Sequence, residues 1–429
     1  MCTYTRLSAT ILGVACFFSS VHAQESSPPS VLTLQSAIQR TLRESPRLKS
    51  ARESIKASDA GFFQAGIGRN PELDIYVENV VGNGPHSGLD RAELTLGLSQ
   101  VLEMGDKRSG RLAVAEQIRV LTRFGYLEER LALVQEVSSA YFNAVAAQEM
   151  IKLTEKQRDV AQVVVAEVGK RVDAARESPL QKYKADMTLS MAIFSHDRAR
   201  RDSDHARQVL LNLWNTHEKT DELEDKTFFS MPPPITKSDA EALLEKNPSL
   251  QKVQAELVYM QAKYHLEKAH ENGEFRLSGG IRNLSETGHQ AFLAGISIPL
   301  PLVSPNQGNI EKAKHEAAKA EHAIQTVKWA SIAALREALE RMTNAYYNAK
   351  ILQTTLLPAA EKAFTLSREG YRAGRFSYLD VLDSSRTFFD AKAQYITALK
   401  DYHSAKSEID RLTARYTNLI KTKEELYEN

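Results

Sequence analysis

The sequence of 429 residues contains few of the residues that interrupt helices, with 20 glycines and 14 prolines. This scarcity favours long helices over an all-β fold. No apolar run reaches the roughly 18 residues that a transmembrane helix needs, so a helical membrane protein is not expected. The formal charge of +1 excludes the basic surface of a nucleic-acid-binding protein. Together with a mean hydropathy of -0.37, these totals are typical of a water-soluble protein.

Cysteine is nearly absent, and Cys2 and Cys16 both fall in an N-terminal segment typical of a secretory signal. The segment starts with Arg6, continues through an apolar stretch at 11–18 and ends in small residues at Ala23. Cleavage after Ala23 would leave a neutral mature chain with no disulfide and no thiolate metal ligand. A buried N-terminal helix and lipidation of Cys16 are the alternatives.

The mature sequence consists of two similar halves. Five matches occur in the same order in both halves at offsets of 198 to 202 residues, which indicates a duplication. They are 42–48 with 244–250, 71–75 with 273–277, 97–99 with 295–297, Gly110 with Gly308, and 176–180 with 375–379. We place the junction in the proline linker at 232–234, so the predicted repeats are 24–231 and 232–429.

Each half contains two segments in which apolar and polar residues alternate, at about 71–82, 92–102, 273–284 and 290–300. Period two predicts strands with one face in an apolar medium and the other in water. Two hairpins lying on a soluble core would explain this pattern. So would membrane strands, because each segment has about the ten residues that such a strand needs. Four strands cannot close a barrel, but three chains would supply an acceptable twelve.

Long helical segments are predicted at 110–176, 178–216, 308–373 and 377–426, and the longest would reach roughly 100 Å. The third carries a heptad seam of mostly small residues, which favours close packing of helices. The seam comprises Ile310, Ala313, Ala317, Ala320, Ile324, Val327, Ser331, Ala334 and Ala338.

Helix starts are marked by capping residues. Ser178 precedes Pro179, Ser304 precedes Pro305, and Ser377 is followed three residues later by an acidic residue, Asp380. Each half is therefore expected to form a helical hairpin whose tip lies near 176–178 or 374–377.

Residues 297–302, 306–309 and 371–383 carry a resemblance to the TolC family of outer-membrane efflux channels. Residues 70–73, 77–79 and 96–108 are similar to its CzcC-like cation-efflux branch. The resemblance covers nearly the whole mature chain. It implies a mainly α protomer that contributes four β-strands to a twelve-strand barrel shared by a trimer in the outer membrane. Long α-helical hairpins would form a tunnel across the periplasm of a Gram-negative bacterium.

The resemblance also implies partners and a function. A periplasmic adaptor and an inner-membrane resistance-nodulation-division pump would feed the tunnel, and outer-membrane lipid would surround the barrel. The expected function is export of heavy-metal cations. The alternatives are a drug or polypeptide channel of the same family, or a secreted periplasmic coiled-coil scaffold.

Site residues follow from the same resemblance. Asp380, Asp383 and Tyr371 match positions at the narrow periplasmic end, where threefold symmetry would turn each carboxylate into a cation-selective ring. Asp380 could equally serve only as a helix cap. The adaptor is expected to dock on the hairpin tips, through Arg176, Ser178, Pro179, Gly374, Arg375 and Ser377. The basic residue of the family's closed tip falls at Phe376 here, which leaves that part of the closure mechanism open.

No catalytic arrangement stands out in the sequence, so no enzyme is predicted. The eleven histidines are scattered. Glu267 with His270 and Glu311 with His315 are single pairs, whereas a metal site needs three or four converging ligands. We therefore predict neither a resident metal nor a cofactor.

Overall fold

The computed structural model describes residues 31–215, 222–300 and 306–415. The predicted leader and the predicted cap at Ser304 and Pro305 lie outside these ranges. The described chain is mainly helical with one small sheet, and none of its helices is both long and apolar enough to cross a membrane. In chain order the elements are α1 (Leu34–Glu44), α2 (Pro46–Ala65), β1 (Glu72–Glu78), β2 (Glu93–Glu103), α3 (Lys107–Asp173), α4 (Pro179–Asn212), α5 (Lys237–Leu244), α6 (Pro248–Ala269), β3 (Glu274–Leu284), β4 (His289–Ser297), α7 (Gln307–Ile351), α8 (Leu357–Arg372) and α9 (Tyr378–Leu412).

The helical stretch that opens each half is split by a proline. Ser45 and Asn247 adopt extended backbone angles, and Pro46 and Pro248 then become the first residues of α2 and α6. The cause is steric, because a proline ring disfavours the helical conformation of the residue before it. The stretches at 34–64 and 238–271, which the sequence predicts to be helical, are therefore two helices each.

The longest helix is α3, whose 67 residues extend over about 100 Å. Helices α4 and α9 end at Asn212 and Leu412, earlier than the ends at 216 and 426 that the sequence predicts. The helix expected at 308–373 contains a π-helical turn, Leu352–Leu356, immediately before α8. Pro358 explains this turn, since a proline cannot donate to the carbonyl four residues earlier and its ring clashes with that carbonyl.

The four strands form one antiparallel sheet in the order β1-β2-β3-β4. The register pairs Ile75 with Leu96, Leu96 with Ile281, and Ile281 with Phe292, so these side chains share one face. We call this the apolar face, and its large residues are 42% to 85% exposed. They are Leu73, Ile75, Val77, Leu94, Leu96, Leu98, Leu277, Ile281, Phe292 and Ile296.

The opposite side of the sheet, here called the polar face, is joined across three strands by arginines. Arg276 on β3 donates to Glu72 on β1 and to Ser99 on β2, the latter at 3.1 Å. Arg282 contacts Glu78, Glu93 and Thr95, each at 2.9 Å. Thr95 and Ser99 are only 5% and 2% exposed. The sheet thus reverses the arrangement of a water-soluble sheet, which buries its apolar side.

The helices continue the sheet as four parallel columns. Going from the first to the last column, α2 contacts α3, α3 contacts α6, and α6 contacts α7. These helices are joined in sequence to β1, β2, β3 and β4 respectively, so helices and strands have the same lateral order.

With the sheet taken as the top of the molecule, the helices farther from it extend these columns downward. Asn247 at the start of α6 donates to the carbonyl of Leu412 at the end of α9 over 2.7 Å, so α9 lies below α6. Helix α4 packs on the lower half of α3, where Arg207 contacts Gln148, below the part of α3 that binds α2 through Asp59 and Arg119. The columns are therefore α4–α2–β1, α3–β2, α9–α6–β3 and α8–α7–β4.

The largest core cluster lies where the columns meet the linker between the halves. The ring of His403 on α9 stacks 4.0 Å from that of Phe142 on α3, and its Nε2 lies 2.8 Å from the carbonyl oxygen of Phe228. Burial lowers the pKa of His403 to about 4. The neutral imidazole therefore donates this hydrogen bond, and the cluster holds the linker against α3 and α9.

Candidate functional site

The two hairpin tips have the same backbone construction. Ala175 and Gly374 occupy equivalent positions 199 residues apart, and both have positive φ angles of 56° and 75°. The next residue in each turn, Arg176 or Arg375, donates its N–H to a carbonyl five residues earlier over 2.8 Å. This closes the preceding helix in the manner of a Schellman motif. The duplication inferred from sequence therefore extends to individual hydrogen bonds.

The six residues predicted to dock an adaptor are all exposed on these two turns. Ser178 caps α4 by accepting from the N–H of Leu180 at 3.3 Å. Gln181, three residues after this cap, leaves its side-chain oxygen without a hydrogen-bond partner among the described residues. The tips thus present exposed polar and cationic side chains, and their docking role stays a prediction.

Asp380 is engaged in capping α9. Its carboxylate accepts from the Ser377 N–H at 2.9 Å and the Ser377 hydroxyl at 2.7 Å, while the Asp380 N–H donates to that hydroxyl. The hydrogen bond from the Ser377 side chain, followed by that from its backbone, lowers the pKa of Asp380. The carboxylate therefore stays charged at neutral pH while serving the cap.

Asp383 lies about one turn further along α9 and is exposed. Within the described part of the chain its carboxylate forms no ion pair and no side-chain hydrogen bond. It shares its helix with Asp380 but has no capping role. Asp383 is therefore the carboxylate of the pair that is available to an ion.

Tyr371 is 1% exposed and packs between the two hairpins. Its ring lies 4.1 Å from the guanidinium carbon of Arg171 and 6.4 Å from the ring of Tyr378. Its hydroxyl has no hydrogen-bond partner among the described residues, and burial raises its pKa. Within one copy Tyr371 contributes packing and a cation–π contact rather than a hydroxyl bond.

A pair of arginines ties α3 to the end of α8, and neither was predicted from the sequence. Arg171 on α3 donates to the backbone carbonyls of Tyr371 and Arg372. Arg372 in turn forms an ion pair of 2.5 Å with Glu167. We call these contacts the tip lock. They join residues about 200 positions apart inside long helices, where no motif or period signals them.

Phe376, at the position of the family's basic tip residue, lies over Gly370. A Cβ at Gly370 would come within 2.1 Å of the Phe376 ring, so only glycine allows this approach. The adjacent Arg375 is exposed. In this chain the cations of the tip lock come from Arg171 and Arg372 instead.

Metal ligands do not converge in the described ranges, where no group of three His, Cys, Asp or Glu side chains could hold an ion. His270 lies 3.5 Å from Glu267, and His315 lies 3.8 Å from Glu311, as isolated pairs. Each pair supplies two potential ligands, fewer than the three or four that a chelating site needs.

The sequence is similar to a known protein family and to proteins of metal resistance. The family model described as outer membrane efflux protein matches residues 37–216 and 240–415. The cobalt-zinc-cadmium resistance protein CzcC of Cupriavidus metallidurans is 29% identical over 384 residues, covering 90% of each chain. The nickel-cobalt-cadmium resistance protein NccC of Alcaligenes xylosoxydans xylosoxydans is 24% identical over 338 residues, 78% of this chain and 75% of that protein.

The fold is also that of a solved channel protein. A crystal structure of CusC superposes with a TM-score of 0.75 at 17% identity, covering 89% of this chain and 91% of that one. This likeness confirms the expected fold class, and the family match confirms the resemblance drawn from the sequence motifs.

Proposed function

The chain belongs to the outer membrane efflux protein family, and on that premise we propose that three copies form a channel exporting heavy-metal cations across the outer membrane. Efflux through an outer-membrane channel is the function of the family, whose members are not enzymes. The number of copies, the cargo and the partners are the proposal.

The exposed apolar face of the sheet carries this proposal. Ten large apolar side chains face outward with nothing covering them among the described residues, while the polar face is held together by buried hydroxyls and ion pairs. Such a face is stable against lipid and costly against water. The outer edges of β1 and β4 are unpaired in the described chain, and unpaired strand edges are not tolerated in lipid.

A ring of copies would remove both open edges. The first and last columns of one copy differ, so a repeated contact between them is head-to-tail, and such a contact forms a ring when its rotation closes. Three copies give twelve strands, an even number like that of known outer-membrane barrels. The same operation extends the helical columns into a tunnel beneath the barrel.

Support for a cationic cargo comes from the relatives and from Asp383. Two relatives are named for resistance to cobalt, cadmium, and zinc or nickel. Threefold symmetry would place three Asp383 carboxylates, with the three of Asp380, around the narrow end. In our proposal this ring attracts cations, and the tip lock with Tyr371 holds it narrow.

The hairpin tips supply the proposed docking surface. Arg176, Ser178 and Pro179 on one turn, with Gly374, Arg375 and Ser377 on the other, would meet a periplasmic adaptor linked to an inner-membrane resistance-nodulation-division pump. Delivery by that route requires the leader at 1–23 to export the chain.

The test is a strain lacking the chain, assayed for growth in cobalt, zinc, cadmium and nickel salts and in a panel of drugs. We expect metal sensitivity that is restored by the wild-type chain. Drug sensitivity without metal sensitivity would instead support the drug-channel alternative. Recovery of the chain as a monomer by osmotic shock without detergent would refute the channel and support a periplasmic scaffold.

A further inference from the structure

The two hairpins of one chain leave a cavity between them, close to their tips. Helices α4 and α9 both pack on α3 but scarcely on each other, so a space of about 420 Å³ lies between them with α3 as its floor. Residues 185–195 of α4 and 378–390 of α9 supply its two sides. The cavity thus spans the helical turns directly above both tips.

The cavity results from the short side chains that α4 directs into this space. Ala185 and Ala192 are only 1% and 3% exposed, and Thr188 and Ser195 each lie three residues further along the same side of the helix. Protein interiors are normally close-packed, which requires side chains long enough to reach their neighbours. Alanine, threonine and serine do not reach across to α9, so the space between the hairpins remains.

The wall of the cavity is mainly apolar. Val164 of α3 and Val381 of α9 line it and are 7% and 2% exposed, and the half-buried Leu382 lines it as well. Binding sites for small molecules typically enclose about 300–1,000 Å³ and combine an apolar wall with a few polar groups. The volume and the wall of this cavity fit that description.

One buried hydroxyl supplies the polar group. Tyr378 lines the cavity, is 2% exposed, and has its hydroxyl 3.4 Å from that of Thr188. This distance exceeds the usual limit of about 3.0 Å for a hydrogen bond between hydroxyls, and the Thr188 hydroxyl already donates to the carbonyl of Lys184 at 2.8 Å. Burial raises the pKa of Tyr378, so its hydroxyl stays protonated at neutral pH and is able to donate.

Size and charge limit what the cavity can hold. A cavity of about 150 Å³ is enough for benzene, so about 420 Å³ has room for two or three fused rings. The charged residues of the lining, Arg386 and Asp390, form an ion pair of 3.7 Å with side chains that are 83% and 63% exposed, so they do not favour a charged ligand. We infer that the cavity binds a neutral aromatic molecule of two or three fused rings, whose hydroxyl or carbonyl oxygen accepts from Tyr378.

The position of the cavity gives such a molecule an effect on the tips. It contacts both hairpins, and the ring of Tyr378 also lies 6.4 Å from that of Tyr371 in the region of the tip lock. A ligand shifts a protein toward the conformation that it binds better. A molecule held between α4 and α9 therefore opposes separation of the two hairpins. The inference does not depend on the proposed function, because the cavity lies within one chain.

Binding of 2-naphthol tests the inference, since this molecule has two fused rings and one hydroxyl. The full chain is assayed by equilibrium dialysis in lipid nanodiscs, and empty nanodiscs give the amount of probe that dissolves in lipid. One saturable site per chain is expected, with slower amide hydrogen exchange in 185–195 and 378–390 when the probe is bound. Absence of saturable binding would overturn the inference and leave the cavity to protein side chains.

A matched pair of variants tests the location. Ala192→Phe fills the cavity, so it should weaken 2-naphthol binding by roughly ten-fold or more, because the ring and the probe compete for the same volume. Ile193→Phe adds a ring at the neighbouring position, which is 43% exposed and does not line the cavity, so it should bind like the wild type. Equal affinity in the two variants would overturn the location.

Tyr378→Phe tests the hydrogen bond, and it remains informative if Ala192→Phe does not fold. Removal of the hydroxyl should weaken binding of 2-naphthol several-fold, as expected for one neutral hydrogen bond, and should leave binding of naphthalene unchanged. An equal change for both probes would overturn Tyr378 as the donor.

Discussion

Replacing Ile75 with arginine tests whether the apolar face lies in lipid, and Tyr76 provides an unusually close control. The two residues are adjacent on β1 and almost equally exposed, at 59% and 58%. Because successive residues of a strand point to opposite sides, Ile75 lies on the apolar face and Tyr76 on the polar face. If exposure alone mattered, arginine would change the stability equally at both positions. A difference between the two variants therefore reports the medium around each face.

The magnitude follows from the position of Ile75. It pairs with Leu96, which pairs with Ile281 and then Phe292, so it lies in the row of the apolar face to which all four strands contribute a large apolar side chain. An arginine at the midplane of an outer-membrane barrel costs about 2–4 kcal/mol. Since about 1.4 kcal/mol is a factor of ten, the ratio of folded to unfolded protein at the wild-type midpoint of unfolding should fall by roughly 30- to 700-fold.

Tyr76→Arg should change the free energy of unfolding by less than about 0.5 kcal/mol, as is usual for exposed positions away from special features. It stays in an aqueous environment beside Thr95 and the carboxylates of the polar face. If the sheet lay in water, Ile75→Arg would have an equally small effect.

The assay is equilibrium urea unfolding of the protein reconstituted in phospholipid vesicles, read by loss of the heat-modifiable oligomer on electrophoresis. Equal midpoints for Ile75→Arg and Tyr76→Arg would refute the assignment of the apolar face to lipid. Loss of folding in both variants would refute it as well, because the polar face should tolerate the charge.

The remaining predictions concern the tips and the core. Asp383→Asn should reduce the cation preference of single channels in planar bilayers while leaving the helix content unchanged, and unchanged ion selectivity would contradict the ring. Asp380→Asn should also lower the melting temperature, because it weakens the capping box with Ser377 and removes a negative charge from the first turn of α9. Arg171→Ala removes the cation–π contact and two hydrogen bonds of the tip lock, so its mean single-channel conductance should rise several-fold. Arg171→Lys should show a smaller rise, and equal conductance in the wild type and both variants would argue against the lock. The pKa of His403 is about 6.5 in the unfolded chain and about 4 in the folded chain, so between these pH values the unfolded state binds the extra proton. The free energy of unfolding should therefore fall by about 3 kcal/mol as the pH drops from 6.5 to 4. Urea unfolding at pH 7 and pH 5 should show a smaller pH dependence in His403→Gln, and an identical dependence would exclude His403 as its source.

Much of the secondary structure could be predicted because it depends on local chemistry. Ser377 and Asp380 form the expected cap, and the alternating segments are strands. The failures are local too. Pro358 lies inside a stretch read as uninterrupted, and only the backbone shows that a π-helical turn keeps the helix continuous around it. A periodic pattern does not distinguish a wider turn from a break.

The site was predicted less completely than the fold. The positions of Asp380 and Asp383 followed from motifs, but the structure distinguishes a capping carboxylate from a free one. The tip lock was missed because Arg171 and Glu167 meet α8 only through tertiary packing. Arginines and glutamates on long helices are usually solvated, so their residue types alone carried no signal.

The sequence by itself determined that the chain is a duplicated, mainly helical protein with four short strands of two-faced character. Capping residues, period-two alternation and scarce helix breakers act within a few residues, and local interactions suffice to specify them. Only the tertiary structure decided which face of the sheet is covered and how the columns are ordered. Those outcomes depend on contacts such as Arg276 with Glu72 and Arg171 with Tyr371, between residues about 200 positions apart. Alternation shows that a strand has an apolar and a polar face, but only the assembled sheet shows that no described part of the chain covers the apolar face.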